Sequence, residues 1–204
     1  MQQTLILASS SPYRKELLHR ITTNFLCISP DIDETPHPKE TAIELVERLA
    51  ISKAQAVAKT HPQALIIGSD QVCEFVDPIS GHTHIVGKPK THENAFKHLQ
   101  AVSGNSVTLQ TGLALYNAKT ATLQSCVVPF AVSFRNLSNE LIESYLLADE
   151  PYFCAGAVKA ESLGIILIEK MHGDDPNALI GLPLIELISM LNNEKHSLFH
   201  EKNT

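Results

Sequence analysis

The sequence predicts an α/β fold, a mixed β-sheet with flanking helices. Three observations carry that expectation. Short runs of apolar β-formers, Leu5-Ile6-Leu7-Ala8 and Ala64-Leu65-Ile66-Ile67, are interleaved with stretches of helical period. Two longer runs rich in Val, Thr, Leu and Phe, 106–116 and 122–134, follow one another as paired strands would. The strands and helices also come in an irregular order, which suits a mixed sheet better than a strictly wound parallel one. Nothing repeats and no linker-like stretch interrupts the chain, so 1–204 reads as a single domain.

Taken in order, Leu5 to Ala8 is a buried strand, and the serines that follow lead into a helix with Ser11 as N-cap and Pro12 at its first position, running to about Arg20. Phe25 to Ile28 is a second strand. The acidic, proline-bearing stretch Asp31 to Pro38 must be a loop, because its prolines forbid a helix. Ile43, Val46, Leu49, Ala50, Ala54, Val57 and Ala58 then recur at helical spacing between Thr41 and Thr60. Ala64 to Ile67 is a strand ending at Gly68, which puts Ser69-Asp70-Gln71 where it gives way to a turn or another strand. The stretch 76–87 reads as a long hairpin or flap, and Thr91 to Val102 as a helix. After the two long strands, Ser138 caps a helix to about Leu147, Ile165 to Ile168 is a strand, and Pro183 to Asn193 closes the fold as a helix. The last nine residues are polar and read as frayed.

Composition narrows the function. Of 204 residues, 44% are hydrophobic and 19% charged, enough apolar mass for one large core or two small lobes. Sixteen Lys and Arg face 22 Asp and Glu, and a formal net charge of −6 gives no overall attraction to a polyanionic backbone. Nucleic-acid polymers are therefore not the expected partners, whereas a small anion can be held by a few local cations and backbone N–H groups. No segment approaches the ~18 continuous apolar residues of a membrane span, and the apolar run at Leu5 is too short, and lacks the basic flank, for a signal peptide. Cys27, Cys73, Cys126 and Cys154 lie far apart without metal-type spacing. A soluble, reduced, cytoplasmic protein is expected.

Several residues carry chemistry. The turn from Ser9 to Pro12, with Arg14 and Lys15 close behind, sits at a helix N-terminus, where unpaired N–H groups and the helix dipole favour an anion. It fits both a triphosphate cradle and a plainly capped surface helix. Asp70 follows apolar β-formers and Gly68, which leaves room for a ligand near the backbone; a turn-forming aspartate that bonds its own backbone is the alternative. Glu34, in a loop stiffened by Pro36 and Pro38, can offer Mg²⁺ a hard oxygen ligand, with Asp31 or Asp33 in support. Lys53 lies mid-helix, where an exposed cation is equally ordinary. Lys88 precedes Pro89 and is held extended. His82 and His84 share a strand face, but zinc wants three or four protein ligands and nothing nearby completes the set.

The segment from Leu7 to Leu18, followed by Asp33-Glu34-Thr35-Pro36, Arg48-Leu49-Ala50 with Lys53-Ala54, Gly68-Ser69-Asp70-Gln71-Val72, Gly87-Lys88-Pro89, Ser103-Gly104, Thr111-Gly112-Leu113-Ala114-Leu115 and Gly181-Leu182-Pro183-Leu184, resembles the Maf family in content and order over nearly the whole chain. The resemblance implies a Maf/ITPase-like fold with a cleft between two lobes, a homodimer as the common assembly, and a nucleotide pyrophosphatase that cleaves a nucleoside triphosphate to the monophosphate and pyrophosphate. It implies a divalent metal, Mg²⁺ first and Mn²⁺ or Co²⁺ after it, bound by Glu34 and Asp70. Asp70 is then the proton acceptor for the attacking water, Lys53 and Lys88 are catalytic contacts to the phosphates, and Ser9, Ser11, Arg14 and Lys15 bind the substrate.

At three positions the chain departs from the commoner pattern of that family: Tyr13, Gln71 and Glu161. This set is similar to a subgroup of 7-methyl-GTP pyrophosphatases. N7-methylguanine carries a delocalised positive charge that an aromatic face such as Tyr13 attracts by roughly 0.5–2 kcal/mol. A carboxylate such as Glu161 can accept guanine N1–H and N2–H in charge-assisted bonds worth about 1.5–3 kcal/mol each. Uracil and thymine would turn a lone pair toward it. The alternatives are a pyrophosphatase for dTTP, UTP or damaged purine nucleotides, and a non-catalytic nucleotide-binding regulator of septum formation.

Overall fold

A computed structural model describes residues 2–77 and 80–198. The elements are β1 (Leu5–Ala8), α1 (Pro12–His19), β2 (Leu26–Cys27), α2 (Ala42–Ala58), β3 (Leu65–Val76), β4 (Thr83–Val86), α3 (His92–Val102), β5 (Ser106–Asn117), β6 (Thr122–Phe134), α4 (Asn139–Asp149), β7 (Ile168–His172), α5 (Pro176–Ile180) and α6 (Leu184–Asn193). Among the described residues, seven strands form one sheet in the order β2-β1-β3-β5-β6-β7, with β4 paired to β3. The sheet is mixed, as expected: β1 runs parallel to β2 and β3, whereas β4 is antiparallel to β3 and β7 to β6.

The chain forms two compact units. The first comprises Met1–Asp70, Thr111–Val128 and Gly181–Thr204, and the second Gln71–Gln110 and Pro129–Ile180. In the first unit, β1 is buried along its whole length, as a parallel strand covered on both faces must be. Helix α2 begins with a capping box, in which the Thr41 hydroxyl accepts from Glu44 N–H and the Glu44 carboxylate accepts from Thr41 N–H. Its backbone then presses onto two glycines. A β-carbon on Gly112 would lie 2.2 Å from the Val46 carbonyl oxygen, and one on Gly68 only 2.0 Å from that of Ala50. The space beside Gly68 therefore belongs to α2 and not to a ligand, which corrects the sequence reading. Leu45 joins the buried face of α2, and Ile43 points outward instead.

The second unit has its own core, in which Leu99 and Val102 of α3, Ile142, Tyr145 and Leu146 of α4, Phe130 and Val132 of β6, and Leu167 pack together. Thr91 and Ser138 cap α3 and α4 by accepting N–H bonds from Asn94 and Leu141.

Two expectations need correction. The strand expected to end at Gly68 continues to Val76, because Val72, Cys73 and Phe75 restore the buried β pattern beyond the polar Ser69-Asp70-Gln71. The strand expected at 165–168 is a 3-10 turn over Leu163–Leu167, and the strand begins at Ile168. The apolar residues there face outward, Ile165 and Ile166 each being about half exposed, so they reflect no strand burial. Between β7 and α6, Pro176 after Asp175 starts the short helix α5. The hairpin expected at 76–87 is present as β3 and β4, although residues 78 and 79 lie outside the described residues, as does the tail from 199.

Candidate active site

The geometry of the first unit begins at Gly68. Because α2 touches the sheet at Ala50, the next turn of the helix brings Lys53 down beside the strand, and the two-residue period of β3 puts Asp70 on the same face as Gly68. Lys53 Nζ lies 2.6 Å from Asp70 Oδ1 and 2.7 Å from Glu34 Oε1. The lysine side chain is only 8% exposed, so the mid-helix cation that sequence reading could treat as a solvated residue is instead buried against two acids. Glu34 is 59% exposed and brings its carboxylate in from the loop. Burying an ammonium is tolerated only when it is paired and hydrogen-bonded; the two carboxylates meet that need.

The loop that carries Glu34 is tied down by Arg48 and Glu40, to which sequence reasoning gave no role, and by Asp33, which it offered as a supporting metal ligand. Arg48 Nε is 2.5 Å from Glu40 Oε1, and its Nη2 donates both to Glu40 Oε2 at 2.8 Å and to the Thr35 carbonyl at 3.2 Å. Asp33 Oδ1 accepts the Thr35 N–H at 2.9 Å, an Asx-type turn that spends this acid on its own backbone. Arg48 holds the Glu40 carboxyl down to about 2 from its ordinary 4.5. The signal was present in the Arg48-Leu49-Ala50 motif, but its partner Glu40 lies outside any motif.

The serine turn lies in the same unit. Ser9 is buried, and its Oγ accepts the Ser11 N–H at 3.1 Å, while Ser11 Oγ caps α1 by accepting from Arg14 N–H at 3.4 Å. Arg14 Nε donates to the Gly181 carbonyl at 2.8 Å, and Ser69 Oγ donates to the same oxygen at 2.8 Å. Gly181 adopts φ +115°, a conformation side-chain-bearing residues avoid, so the glycine is what allows its carbonyl to face both donors. Burial lowers the Arg14 pKa, opposed by the charges of Asp70 and Glu34, which puts the guanidinium within electrostatic reach of both acids. Tyr13 is half-buried on the same turn of α1. Lys15 is exposed, and the group it acts on electrostatically is Cys27.

The remaining candidates belong to the second unit. Gln71 Nε2 donates to the Ala178 and Leu179 carbonyls of α5 at 2.7 and 3.2 Å. Lys88 is exposed in a segment without regular secondary structure that is held at both ends, where Gly87 O accepts from Gly156 N–H at 3.3 Å and Lys90 N–H donates to Tyr152 O at 2.9 Å. Glu161 is exposed at a turn before the 3-10 segment.

Among the described residues no cluster of three or more His, Cys, Asp or Glu side chains is built to hold a metal, His82 and His84 included. Glu34 and Asp70 offer a different donor set: two hard carboxylates close to one cation. Mg²⁺ is commonly bound in just this way, by one or two carboxylates with the rest of its shell from water and substrate phosphates. The pair fits a divalent ion that arrives with a phosphate ligand. No described helix is long and apolar enough to cross a membrane.

Comparison with known proteins gives the family and its named relatives. The family described as Maf-like protein matches residues 4–194. Proteins named 7-methyl-GTP pyrophosphatase from Pseudomonas fluorescens strain Pf0-1, Methylobacillus flagellatus and Vibrio parahaemolyticus are 54%, 53% and 49% identical to the chain. These alignments cover 92%, 92% and 93% of this chain and 94%, 94% and 95% of the relatives.

Proposed function

The chain belongs to the Maf family, and from that membership we propose that it is a nucleotide pyrophosphatase that hydrolyses 7-methyl-GTP to 7-methyl-GMP and pyrophosphate. The observation that carries the chemistry is the buried Lys53 ammonium shared by Asp70 and Glu34 beside Arg14. That grouping combines a proton acceptor, a pair of metal-seeking oxygens and cations able to meet phosphate oxygens. The relatives' shared name supports the base.

In this reading water attacks the α-phosphorus, the bond from that phosphorus to the bridging oxygen breaks, and pyrophosphate leaves with the electron pair. Asp70 takes the proton from the water, as general-base catalysis requires of a group within reach of the nucleophile. Lys53, held at Asp70, is aimed at the charge that builds on the phosphoryl oxygens, and Lys88 adds a second point charge. Ser9, Ser11, Arg14 and Lys15 surround the positive end of α1 and grip the triphosphate. Glu34 and Asp70 would hold a divalent ion, most suitably Mg²⁺, which when bound neutralises part of the charge on the phosphate chain. Tyr13 offers a ring face to the cationic purine, Glu161 accepts its N1–H and N2–H, and Gln71 completes the base-reading set. Cys27, Cys73 and Cys126 are free thiols, in keeping with a cytoplasmic enzyme.

The test is a product assay on 7-methyl-GTP, GTP, UTP and dTTP with Mg²⁺. Pyrophosphate is the expected first product, with 7-methyl-GTP the preferred substrate. Release of orthophosphate first, or a preference for a pyrimidine, would overturn the reading.

A further inference from the structure

We propose that Asp149, Lys159 and Ser162 form a clasp that fixes the turn presenting Glu161, and so act as positioning residues for base selectivity. The inference rests on the base-reading role of Glu161 given above and deepens it. All of its contacts lie within the second unit.

The turn closes on itself first. The Lys159 carbonyl accepts N–H bonds from Ser162 at 3.1 Å and from Gly164 at 3.0 Å. Gly164 packs so tightly on that residue that an added β-carbon would lie 2.4 Å from the Lys159 oxygen and 2.8 Å from its carbonyl carbon. Glu161 therefore sits on a loop with no slack in its backbone.

The closed turn is then fastened to the end of α4. Tyr145 Oη accepts the Lys159 N–H at 3.0 Å and donates to the Ala157 carbonyl at 3.3 Å. The Lys159 ammonium donates to the Asp149 carbonyl oxygen and lies 3.7 Å from its carboxylate. Ser162 Oγ donates to Asp149 Oδ1 at 2.8 Å. The Asp149 side chain is only 8% exposed, and its second oxygen, Oδ2, is buried with no hydrogen-bond partner among the described residues. Ser162 thus supplies a short hydrogen bond to this carboxylate, and the longer Lys159 contact is what remains beside it if Ser162 is lost. Ser162 follows Glu161 directly, so the bond to Asp149 acts one residue from the carboxylate that must meet two N–H groups at once. Such two-point recognition tolerates misplacement of only about half an ångström.

A structural role alone would depress every substrate alike, whereas a positioning role acts on the base. The experiment measures pyrophosphate release from 7-methyl-GTP and UTP by the full chain carrying Ser162→Ala or Ser162→Thr. The expected result is that Ser162→Ala lowers kcat/KM for 7-methyl-GTP about tenfold, the scale of one charge-assisted hydrogen bond, mainly through KM. Activity on UTP stays at the wild-type level, and Ser162→Thr, which keeps the hydroxyl, restores the ratio. An unchanged ratio, or an equal loss on both substrates, overturns the clasp. A wild-type enzyme with no preference for 7-methyl-GTP over UTP overturns the base reading itself, and the clasp with it.

Discussion

Glu34 and Asp70 bring their carboxylates to the same ammonium, that of Lys53, at 2.7 and 2.6 Å. The lysine compensates two acids that would otherwise repel each other, and in the proposed reaction its charge turns to the phosphates. Lys53→Met therefore removes both services. Pyrophosphate release is expected to fall by about 10²-fold or more, the scale seen when one preorganised electrostatic donor is lost. Lys53→Arg gives little rescue, because a planar fork replaces a compact point charge in a buried site. Steady-state assays on both variants check this, and near-wild-type turnover of Lys53→Met would remove the lysine from the mechanism.

Asp70→Asn keeps the shape of the side chain and its place in β3 but removes the proton acceptor. Turnover should drop by about 10²–10⁴-fold, the usual contribution of a general base, while the protein still binds 7-methyl-GTP. Calorimetric titration beside the rate assay separates the two effects. A variant that keeps its rate would move the base elsewhere.

The sheet class, most of the helices and the site motifs were legible in the sequence because they rest on local pattern. The apolar period placed α2 and β1, and Ser11-Pro12 marked the start of α1. What was not legible depends on contacts far apart in the chain. Ser69-Asp70-Gln71 looks like a strand end because its polar side chains break the apolar run, yet the backbone ladder of β3 passes through it. Gly68 suggested space for a ligand, and only the packed structure reveals the Ala50 carbonyl against it. Arg48 and Glu40 gave no sign of pairing, since neither periodicity nor spacing in a loop foretells a salt bridge.

Gly68→Ala tests that packing. A methyl group 2.0 Å from the Ala50 carbonyl must push α2 off the sheet. Overpacking of this kind costs about 1–3 kcal/mol, which for a chain of this size lowers Tm by roughly 2–12 °C. The shift would also draw Lys53 away from Asp70, so activity should fall with stability. Gly87→Ala is the control for stability, because an added β-carbon there meets nothing within 4 Å. Equal melting temperatures for the two variants would contradict the close approach.

The Arg48–Glu40 pair sets a pH dependence. The Glu40 carboxyl is held at about 2 in the folded chain against an ordinary 4.5, chiefly by its hydrogen bond from Arg48. A carboxyl depressed on folding stabilises the protein fully above its unfolded value and loses that contribution as pH falls from about 4.5 toward 2. Denaturant midpoints of wild type and Glu40→Gln should differ at neutral pH and converge over that acid range. A difference that persists unchanged at the acid end would mean the pair is not what separates them.

Metal dependence distinguishes Glu34 from Lys53, although both touch the same cluster. Chelation should abolish pyrophosphate release, and Mg²⁺ should restore it. In Glu34→Gln one of two carboxylate donors is gone while Lys53 keeps Asp70, so the catalytic pair survives and only the ion is held less well. The Mg²⁺ concentration for half-maximal activity should then rise about tenfold or more, given that even outer-shell partners are worth 10–100-fold in metal affinity. Turnover at saturating Mg²⁺ should recover most of the wild-type rate. The result that sinks this assignment is a low rate with an unaltered Mg²⁺ requirement, for then Glu34 would serve to position Lys53 and not to bind the ion.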